Sequence, residues 1–269
     1  MRIKIVLAPM TEPSFLPLDH YPLASLIYRT VGLVNPGYAE FLHNQGYGEE
    51  ASGNKIFKLF VYSRPYLPQT LLNKGQENRA WFARGEIVWQ VSSPQPEFIQ
   101  SFVTGLIGQG EVTIGDPMGS AQFSVESIEE MEVPAFQSPM RFKTISPITV
   151  SVVETNQQGQ RHKQFLWGDV PRFGELVAAN LKKKYRVLTG DEPPEGKVTF
   201  AFEEEYIRRR GGVRGISKMA QYKDTNIRGF QAPFIVSGPL ELIQLGWECG
   251  FGEANSKGFG MVEAAPWNG

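Results

Sequence analysis

Residues 246–263 read Gly-Trp-Glu-Cys-Gly-Phe-Gly-Glu-Ala-Asn-Ser-Lys-Gly-Phe-Gly-Met-Val-Glu and form the most informative stretch of the chain. Five glycines lie in it, at positions 246, 250, 252, 258 and 260. Such a concentration indicates a backbone that needs positive φ angles or close approach by another chain. A loop of this kind can turn successive peptide N–H groups towards an anionic oxygen.

Neither standard nucleotide-binding motif fits this glycine-rich stretch. A phosphate-binding loop has a lysine after its last glycine, whereas here Lys257 precedes Gly258 and Phe259 follows it. A dinucleotide-binding turn needs a third glycine where Asn255 stands, and it follows an early strand of its domain. The sequence therefore disfavours a protein that binds a small nucleotide.

The pattern Gly-Phe-Gly-Glu-x-Asn-Ser-x-Gly-Phe-Gly-Met-Val closely resembles the C-terminal signature of the CRISPR-associated repeat-RNA endoribonucleases, the Cas six family. Trp247 stands where that signature begins with an aliphatic residue. Four further segments resemble the family in the same order along the chain: 21–28, 41–43, 58–63 and 144–150. The resemblance thus runs through the whole sequence and does not depend on the glycines alone.

Composition limits the class of protein. A chain of 269 residues with a net charge of −1 is long enough for two medium domains. The single cysteine, Cys249, excludes an internal disulfide and suits a reducing compartment. No apolar run reaches the roughly 18 residues of a membrane span, and residues 2–9 suggest a strand rather than a signal peptide. A cytoplasmic protein with no membrane partner is therefore expected.

The hydrophobic pattern predicts an α+β fold in which the order β-α-β-β-α-β occurs twice. Leu23, Leu26, Ile27 and Val31 form one apolar stripe of an early helix. The predicted strands are 2–9, 56–63, 79–91, 111–115, 121–131, 148–153, 197–208, 213–222, 226–236 and 259–265. The other predicted helices are a short one ending near residue 43, then 94–105, 169–184 and 240–245. The family resemblance likewise implies two tandem ferredoxin-like domains, which we place at 1–140 and 141–269, the second carrying the glycine-rich loop.

RNA can be cut without a metal ion when the nucleophile is the substrate's own 2′-hydroxyl. Groups must then accept its proton, stabilise charge at phosphorus and protonate the departing 5′-oxygen. Histidine suits proton transfer at neutral pH, and the chain has three histidines: His20, His43 and His162. His43 ends a short helix and opens a polar segment, whereas His20 and His162 are expected at the surface. On the residues alone, the favoured interpretation of His43 is a structural or merely solvated histidine. The resemblance implies catalysis instead, because His43 matches the family's catalytic histidine.

The resemblance adds two further candidates for the active site. Tyr28 borders the apolar stripe and matches the family's tyrosine, although core packing would also explain it. Lys58 matches the family's lysine in a Lys-Leu-Phe strand, and an ordinary solvated lysine is the alternative. Lys55 is a rival for the same role. The resemblance therefore implies His43, Tyr28 and Lys58 as the catalytic set, and it leaves open which group protonates the 5′-oxygen.

A basic segment at residues 206–230 predicts contact with a polyanion, despite the neutral total charge. It holds seven cations against one acid, Asp224. A solvated hairpin would explain the same pattern. The predicted RNA-binding residues are Arg208, Arg209, Arg210, Arg214, Lys218, Lys223, Arg228, Gly250, Gly252, Lys257, Gly258 and Gly260. The tryptophans Trp81, Trp89 and Trp167 could stack on bases, but burial in the core is the expected role.

Metal chemistry and cofactors have little support in the sequence. One cysteine and three scattered histidines offer no ligand spacing of the zinc type. The acids at 203–205 are dense, but neighbouring acids on a strand point to opposite faces. No metal and no cofactor are therefore expected.

Two functions from different classes fit these observations. The first, implied by the resemblance, is a metal-independent endoribonuclease that cleaves CRISPR precursor RNA within its repeats and leaves 5′-hydroxyl and 2′,3′-cyclic phosphate ends. The second is a non-catalytic RNA-binding subunit of a CRISPR effector complex with the same fold. The expected partner is repeat RNA, either single-stranded or folded into a small stem-loop. Association with effector-complex subunits and a homodimer remain open.

Overall fold

The computed structural model describes residues 1–12, 14–17, 20–48, 56–66, 72–74, 80–83, 85–116, 119–155, 159, 161–223 and 225–267, and all structural statements concern these residues. The chain divides into two units. The first contains Met1–Val133, Gln221–Thr225 and Ser256–Gly258, and the second contains Pro134–Ala220, Asn226–Asn255 and Phe259–Gly269. The domain boundary at residue 140 stays a prediction.

The first unit has eight described strands and three described α-helices. The strands are β1 (Arg2–Pro9), β2 (Ser14–Pro17), β3 (Val61–Tyr62), β4 (Leu72–Lys74), β5 (Ala80–Ala83), β6 (Ile87–Ser92), β7 (Glu111–Asp116) and β8 (Gly119–Glu130). The helices are α1 (Tyr21–Val34), α2 (Pro36–Glu40) and α3 (Pro96–Gln109), with a π-helical turn at Phe41–Gln45.

The main sheet of the first unit has the antiparallel order β3-β6-β1-β8-β7. In β1 the alternating residues Ile3, Ile5 and Leu7 are buried, as the period of a strand with one covered face requires. Helices α1 and α3 pack on each other. The predicted stripe of α1, including Leu23, is buried in the same core cluster. With β7 set aside as an extra edge strand, this is the ferredoxin-like arrangement.

The second unit repeats that arrangement. Its strands are β9 (Met140–Thr144), β10 (Ser151–Thr155), β11 (Arg161–Phe165), β12 (Thr199–Phe202), β15 (Phe234–Ser237) and β16 (Val262–Ala264). The paired strands β13 (Ser217–Tyr222) and β14 (Thr225–Phe230) are divided between the units, because Gln221–Thr225 belong to the first. Its helices are α4 (Pro171–Thr189), α5 (Glu204–Arg209), α6 (Val213–Ile216) and α7 (Leu240–Cys249). The sheet order is β12-β15-β9-β16, with all pairs antiparallel. The prediction of two ferredoxin-like folds is therefore confirmed.

Several predicted elements are wrong in detail within the first unit. The strand expected at 56–63 shrinks to β3, because Leu59 adopts a φ of 54° and breaks the extended backbone. The strand expected at 79–91 is two strands, β5 and β6, which belong to different sheets. Gly85 lies between them with a φ of 84°.

In the second unit the first sheet strand is β9, not the predicted 148–153, and Ile148 makes only an isolated bridge. The strand predicted at 197–208 ends at Phe202 and gives way to α5. Glu204 and Glu205 occupy the first turn of that helix, where negative side chains are favoured by the helix dipole. The expected alternation of these acids on a strand is therefore wrong.

Candidate active site and nucleic-acid interface

The candidate histidine, His43, follows a break between helices α1 and α2. Asn35 ends α1 and its side chain accepts a hydrogen bond from the Tyr38 N–H at 3.1 Å, which starts α2 at Pro36. The chain then widens into the π-helical turn that carries His43. Such turns occur often at functional sites. The turn leaves His43 exposed while its neighbour Leu42 is buried.

The imidazole of His43 is oriented by the next residue. Its Nδ1 lies 2.9 Å from the Asn44 side-chain oxygen. Because a carbonyl oxygen only accepts, this placement puts the proton on Nδ1 and leaves Nε2 as the nitrogen able to take up a proton. Asn44 therefore acts on His43 as the orienting group of an acid–base site does.

Tyr28 lies against the histidine. The two ring centroids are 5.5 Å apart in an edge-to-face arrangement, and the centroids of Tyr28 and Phe60 are 5.8 Å apart, also edge to face. Burial raises the pKa of the Tyr28 phenol well above its ordinary value, and the neighbouring Tyr222 adds a smaller increase. A hydrogen bond with the Ser256 side chain acts in the opposite direction. Tyr28 therefore keeps its proton and acts as a hydrogen-bond donor.

Lys58 reaches the same place from another segment. Its Nζ donates to the main-chain oxygen of His43 at 3.2 Å. Gly46 ends the π-helical turn with a φ of 70°, and a Cβ at that position would lie 2.9 Å from the Lys58 Nζ. A glycine is thus required both by the backbone and by the path of the lysine. Partial burial lowers the pKa of Lys58 below its usual range.

The structure thus brings His43, Tyr28 and Lys58 together in the first unit. Tyr28 and Lys58 both contact His43, which is exposed. An imidazole, a phenol and an ammonium are groups that could serve phosphodiester cleavage by a 2′-hydroxyl. The rival Lys55 lies outside the described residues.

His20 is not at the surface, so that expectation is wrong. Its side chain is buried. Nδ1 lies 3.0 Å from the Lys257 main-chain oxygen, and Nε2 accepts from the Arg64 Nε at 2.6 Å. A Cβ on Gly258 would come within 2.4 Å of Nδ1. His20 therefore docks the tip of the glycine-rich loop, Ser256–Gly258, beside α1, and Gly258 is the residue that permits the approach.

The buried His20 makes a prediction about acid stability. Burial, and then the Arg64 charge, lower its pKa from 6.5 to about 3. As pH falls from 6.5 towards 3, the His20 imidazole takes up a proton in the unfolded chain but not in the folded chain. The contribution of His20 to the free energy of unfolding is therefore fully present above pH 6.5 and is lost progressively below it. At pH 5 this amounts to about 2 kcal/mol.

His20→Asn retains a donor near the Nδ1 position and cannot titrate in this range. Urea unfolding at pH 7 and pH 5 is expected to show a smaller acid loss for His20→Asn than for the wild type, by about 2 kcal/mol. Equal losses in the two proteins would contradict the neutral, buried state of His20.

The predicted basic hairpin at 206–230 is only partly a hairpin. Its first half forms α5 and α6, and only β13 and β14 pair as strands. Five of its cations are exposed in the second unit: Arg208, Arg209, Arg210, Arg214 and Lys218. The Arg210 guanidinium lies 5.2 Å from the Tyr206 ring, and that of Arg228 lies 4.2 Å from the ring of Trp167, which is half-buried.

The two other tryptophans that could stack on bases are Trp81 and Trp89. Trp89 is fully buried, as expected, and the Trp81 side chain lies outside the described part of the chain. The same holds for the side chain of His162. Lys223, Lys257 and Gly258 belong to the first unit. The RNA-binding role of all these residues stays a prediction.

The second-unit part of the glycine-rich loop faces inward. The N–H groups of Phe251, Glu253 and Gly260 bond to main-chain oxygens of the same unit at 2.8–2.9 Å. These three groups therefore do not form the anion seat that the sequence suggested. The carbonyls of Gly250 and Gly252 accept from the Lys184 Nζ, at 2.6 and 3.1 Å.

Lys184 is a residue that the sequence analysis missed. It is only 1% exposed and lies on α4. A signal was present, because Phe173, Val177, Leu181 and Lys184 follow helical spacing on the buried face. A lysine in an apolar stripe indicates a buried partner, which here is the glycine-rich loop.

The described residues contain neither a cluster of metal ligands nor a membrane-spanning helix. No three His, Cys, Asp or Glu side chains are grouped there so that they could hold a metal ion. In the same residues no helix combines the length and apolar character required to cross a membrane. Glu203, one of the dense acids, forms an ion pair with Arg141 within the second unit.

The two ferredoxin-like units place the chain in the class of tandem ferredoxin-like proteins. Two family models then cover most of it. The model described as CRISPR-associated protein Cas6, N-terminal, matches residues 16–129, and CRISPR associated protein Cas6, C-terminal, matches residues 129–264. The chain therefore belongs to the Cas6 family.

Individual relatives agree with the family models. The protein named CRISPR-associated endoribonuclease Cas6 1, from Methanocaldococcus jannaschii, is 32% identical over 249 residues, covering 92% of this chain and 86% of the relative. CRISPR-associated endoribonuclease Cas6 from Pyrococcus furiosus is 30% identical over 272 residues, covering 98% and 89%. A solved structure of a Cas6-related protein from Pyrococcus furiosus matches with a TM-score of 0.81 at 24% identity, covering 100% of this chain and 99% of its own.

Proposed function

We propose that this chain is a metal-independent endoribonuclease that cleaves CRISPR precursor RNA within its repeats. The observation that supports this most is that Tyr28 and Lys58 both contact the exposed His43 in the first unit. Membership of the Cas6 family, whose matched relatives are named endoribonucleases, supports the class of substrate and reaction.

The proposed chemistry is attack by the 2′-oxygen of the nucleotide before the cut on the adjacent phosphorus. The bond from phosphorus to the 5′-oxygen breaks, which leaves a 2′,3′-cyclic phosphate and a 5′-hydroxyl. His43 takes the 2′-hydroxyl proton at Nε2. The Lys58 ammonium stabilises the extra negative charge on the phosphate oxygens, and the Tyr28 hydroxyl donates a hydrogen bond to them.

The departing 5′-oxygen must gain a proton, and the pKa shifts favour one donor. Burial lowers the pKa of Lys58 and raises that of Tyr28. Lys58 is therefore the better acid of the two. We assign to it both the charge at the phosphate and the proton for the leaving group.

The test uses an RNA copy of a CRISPR repeat from the genome that encodes this chain, incubated with the protein in excess EDTA. Cleavage is expected to continue unchanged, and the upstream product should carry a cyclic phosphate. Loss of cleavage in EDTA, or a 3′-hydroxyl on the upstream product, would overturn the proposal. RNA binding without any cleavage by the wild type would instead support the non-catalytic subunit.

Changes at Lys58 are expected to alter the alkaline limb of the pH–rate profile. Because the Lys58 pKa is lowered, the wild-type rate should fall with rising pH below the ordinary lysine value of 10.5. Lys58→Met should lose roughly 10²-fold in rate at neutral pH. Lys58→Arg keeps the charge but is a very poor proton donor, so it should be slow and lack this limb.

The matched control is Lys4→Met, which removes an exposed lysine of the first unit that pairs with Glu129 at 2.7 Å. Its pH profile should equal the wild-type profile after subtraction of RNA hydrolysis without protein. An unchanged alkaline limb in Lys58→Arg would show that Lys58 does not donate the proton. Effector-complex partners, a homodimer and a cytoplasmic location remain predictions.

A further inference from the structure

Two tyrosines and two lysines of the first unit form a row of contacts in the order Lys223, Tyr21, Tyr222 and Lys257. The Lys223 Nζ lies 4.4 Å from the centroid of the Tyr21 ring, and Tyr21 meets Tyr222 edge to face at 5.6 Å. The Lys257 Nζ lies 4.9 Å from the centroid of Tyr222. Three separate segments supply this cluster: the first residue of α1, the last residue of β13 with Lys223 after it, and the tip of the glycine-rich loop.

The cluster is partly open to solvent. Tyr21 is 38% exposed, Lys223 is exposed, and Tyr222 and Lys257 are half-buried. A cation over an aromatic ring contributes little to folding stability at an exposed site. Stability alone therefore does not explain why this cluster combines rings with lysines. The combination of accessible rings and flexible cations is instead the composition of a surface that binds single-stranded nucleic acid.

The cluster lies near the candidate active site. Tyr21 and Tyr28 are seven residues apart on α1, which places them two turns apart on one face, about 10 Å along the axis. Tyr222 lies close to both the cluster and Tyr28. It packs on the same core as Tyr28 and is near enough to raise the pKa of the Tyr28 phenol. At roughly 3.4 Å per stacked nucleotide, the separation corresponds to about three nucleotides, or fewer in an extended strand.

We propose that Tyr21 and Tyr222 form a stacking site for an unpaired base of the RNA, while Lys223 and Lys257 pair with the phosphates beside it. A base that stacks on a ring takes the place of the ammonium now over it, and the flexible lysine stem lets that charge turn to a phosphate. The inference rests on the proposed function for its ligand, RNA, and adds a subsite that holds the strand at a fixed distance from the cut.

The experiment uses repeat RNAs with a single 2-aminopurine at successive positions around the cut, each made resistant to cleavage by one 2′-deoxy at the cut site. Stacking on a tyrosine quenches this fluorophore. In the wild type, one position within about three nucleotides of the cut should be quenched on binding. Tyr222→Leu and Tyr21→Leu should abolish that quenching and weaken binding roughly 5- to 100-fold.

Tyr222→Phe keeps the ring and should behave as the wild type, which separates stacking from loss of the hydroxyl or of the fold. Tyr66→Leu, at a tyrosine of the first unit that is 69% exposed, should change neither readout. Lys223→Met and Lys257→Met should each lower the salt slope of binding by about 0.7. These results, with unchanged melting temperatures, support the subsite.

The two proposals fail separately. If the wild type cleaves unmodified repeat RNA but Tyr222→Leu binds as tightly and quenches as strongly, the stacking site is wrong and the endoribonuclease proposal stands. If the wild type quenches the probe and Tyr222→Leu does not, but no unmodified RNA is cleaved, the stacking site stands and the endoribonuclease proposal is wrong.

Discussion

Replacing His43 by alanine is expected to lower the rate of RNA cleavage by roughly 10²- to 10⁴-fold, the usual contribution of a positioned proton acceptor. RNA affinity should hardly change, because His43 is exposed and its proposed role is proton transfer rather than holding the strand. The measurement is single-turnover cleavage with saturating protein, alongside a binding isotherm on uncleavable RNA. A loss in rate without a loss in affinity locates the effect in the chemical step.

Two companion variants sharpen this result. Asn44→Ala removes the acceptor that holds the His43 Nδ1 at 2.9 Å, so the rate should fall less than in His43→Ala. His162→Ala, at a histidine on β11 of the second unit, should leave the rate unchanged. Full activity in His43→Ala would mean that another residue accepts the proton.

Replacing Lys184 by methionine is expected to destabilise the glycine-rich loop and lower the free energy of unfolding. Methionine has a similar length but cannot donate, so the carbonyls of Gly250 and Gly252 lose a buried partner. Leaving such groups unsatisfied costs about 2 kcal/mol, or a melting temperature lower by roughly 4–8 °C. RNA binding should weaken as well if this loop contributes to it.

The single cysteine reports on the same loop. Cys249 is fully buried beside Lys184, and burial raises the pKa of its thiol to about 11. A loop that opens more readily in Lys184→Met should let a thiol reagent modify Cys249 roughly 30-fold faster, the equivalent of about 2 kcal/mol. Lys183→Met is the matched control, because Lys183 is exposed on the same helix. Equal reactivity in both variants would contradict the pinning of the loop by Lys184.

The sequence was sufficient for the fold because its apolar periods are regular where elements pack. The Leu23 stripe of α1 follows a helical period, and the strands on either side of α3 alternate cleanly. The candidate active site could also be predicted, since Tyr28, His43 and Lys58 each lie in a segment that resembles the family. Their mutual distances could not be predicted, because they depend on the π-helical turn and on Gly46.

The errors have physical causes that a linear pattern does not contain. Leu59 interrupts a segment of good strand formers because its backbone adopts a φ of 54°, which the residue type does not indicate. His20 is polar and follows a proline-rich segment, so the sequence indicated a surface position, whereas two distant partners, Arg64 and the main chain at Lys257, make its burial favourable. Lys184 is the exception, since its place on an apolar stripe was visible in the sequence.

The most direct measurement of the central claim compares two repeat RNAs that differ by one atom. One is all-ribose, and the other has a 2′-deoxyribose at the nucleotide whose 2′-oxygen attacks. The account predicts that the wild type, in excess EDTA, cleaves the first and not the second, and binds both with similar affinity. Cleavage of the deoxy RNA at the same position and rate would contradict it, because the nucleophile would then be something other than the substrate's own hydroxyl.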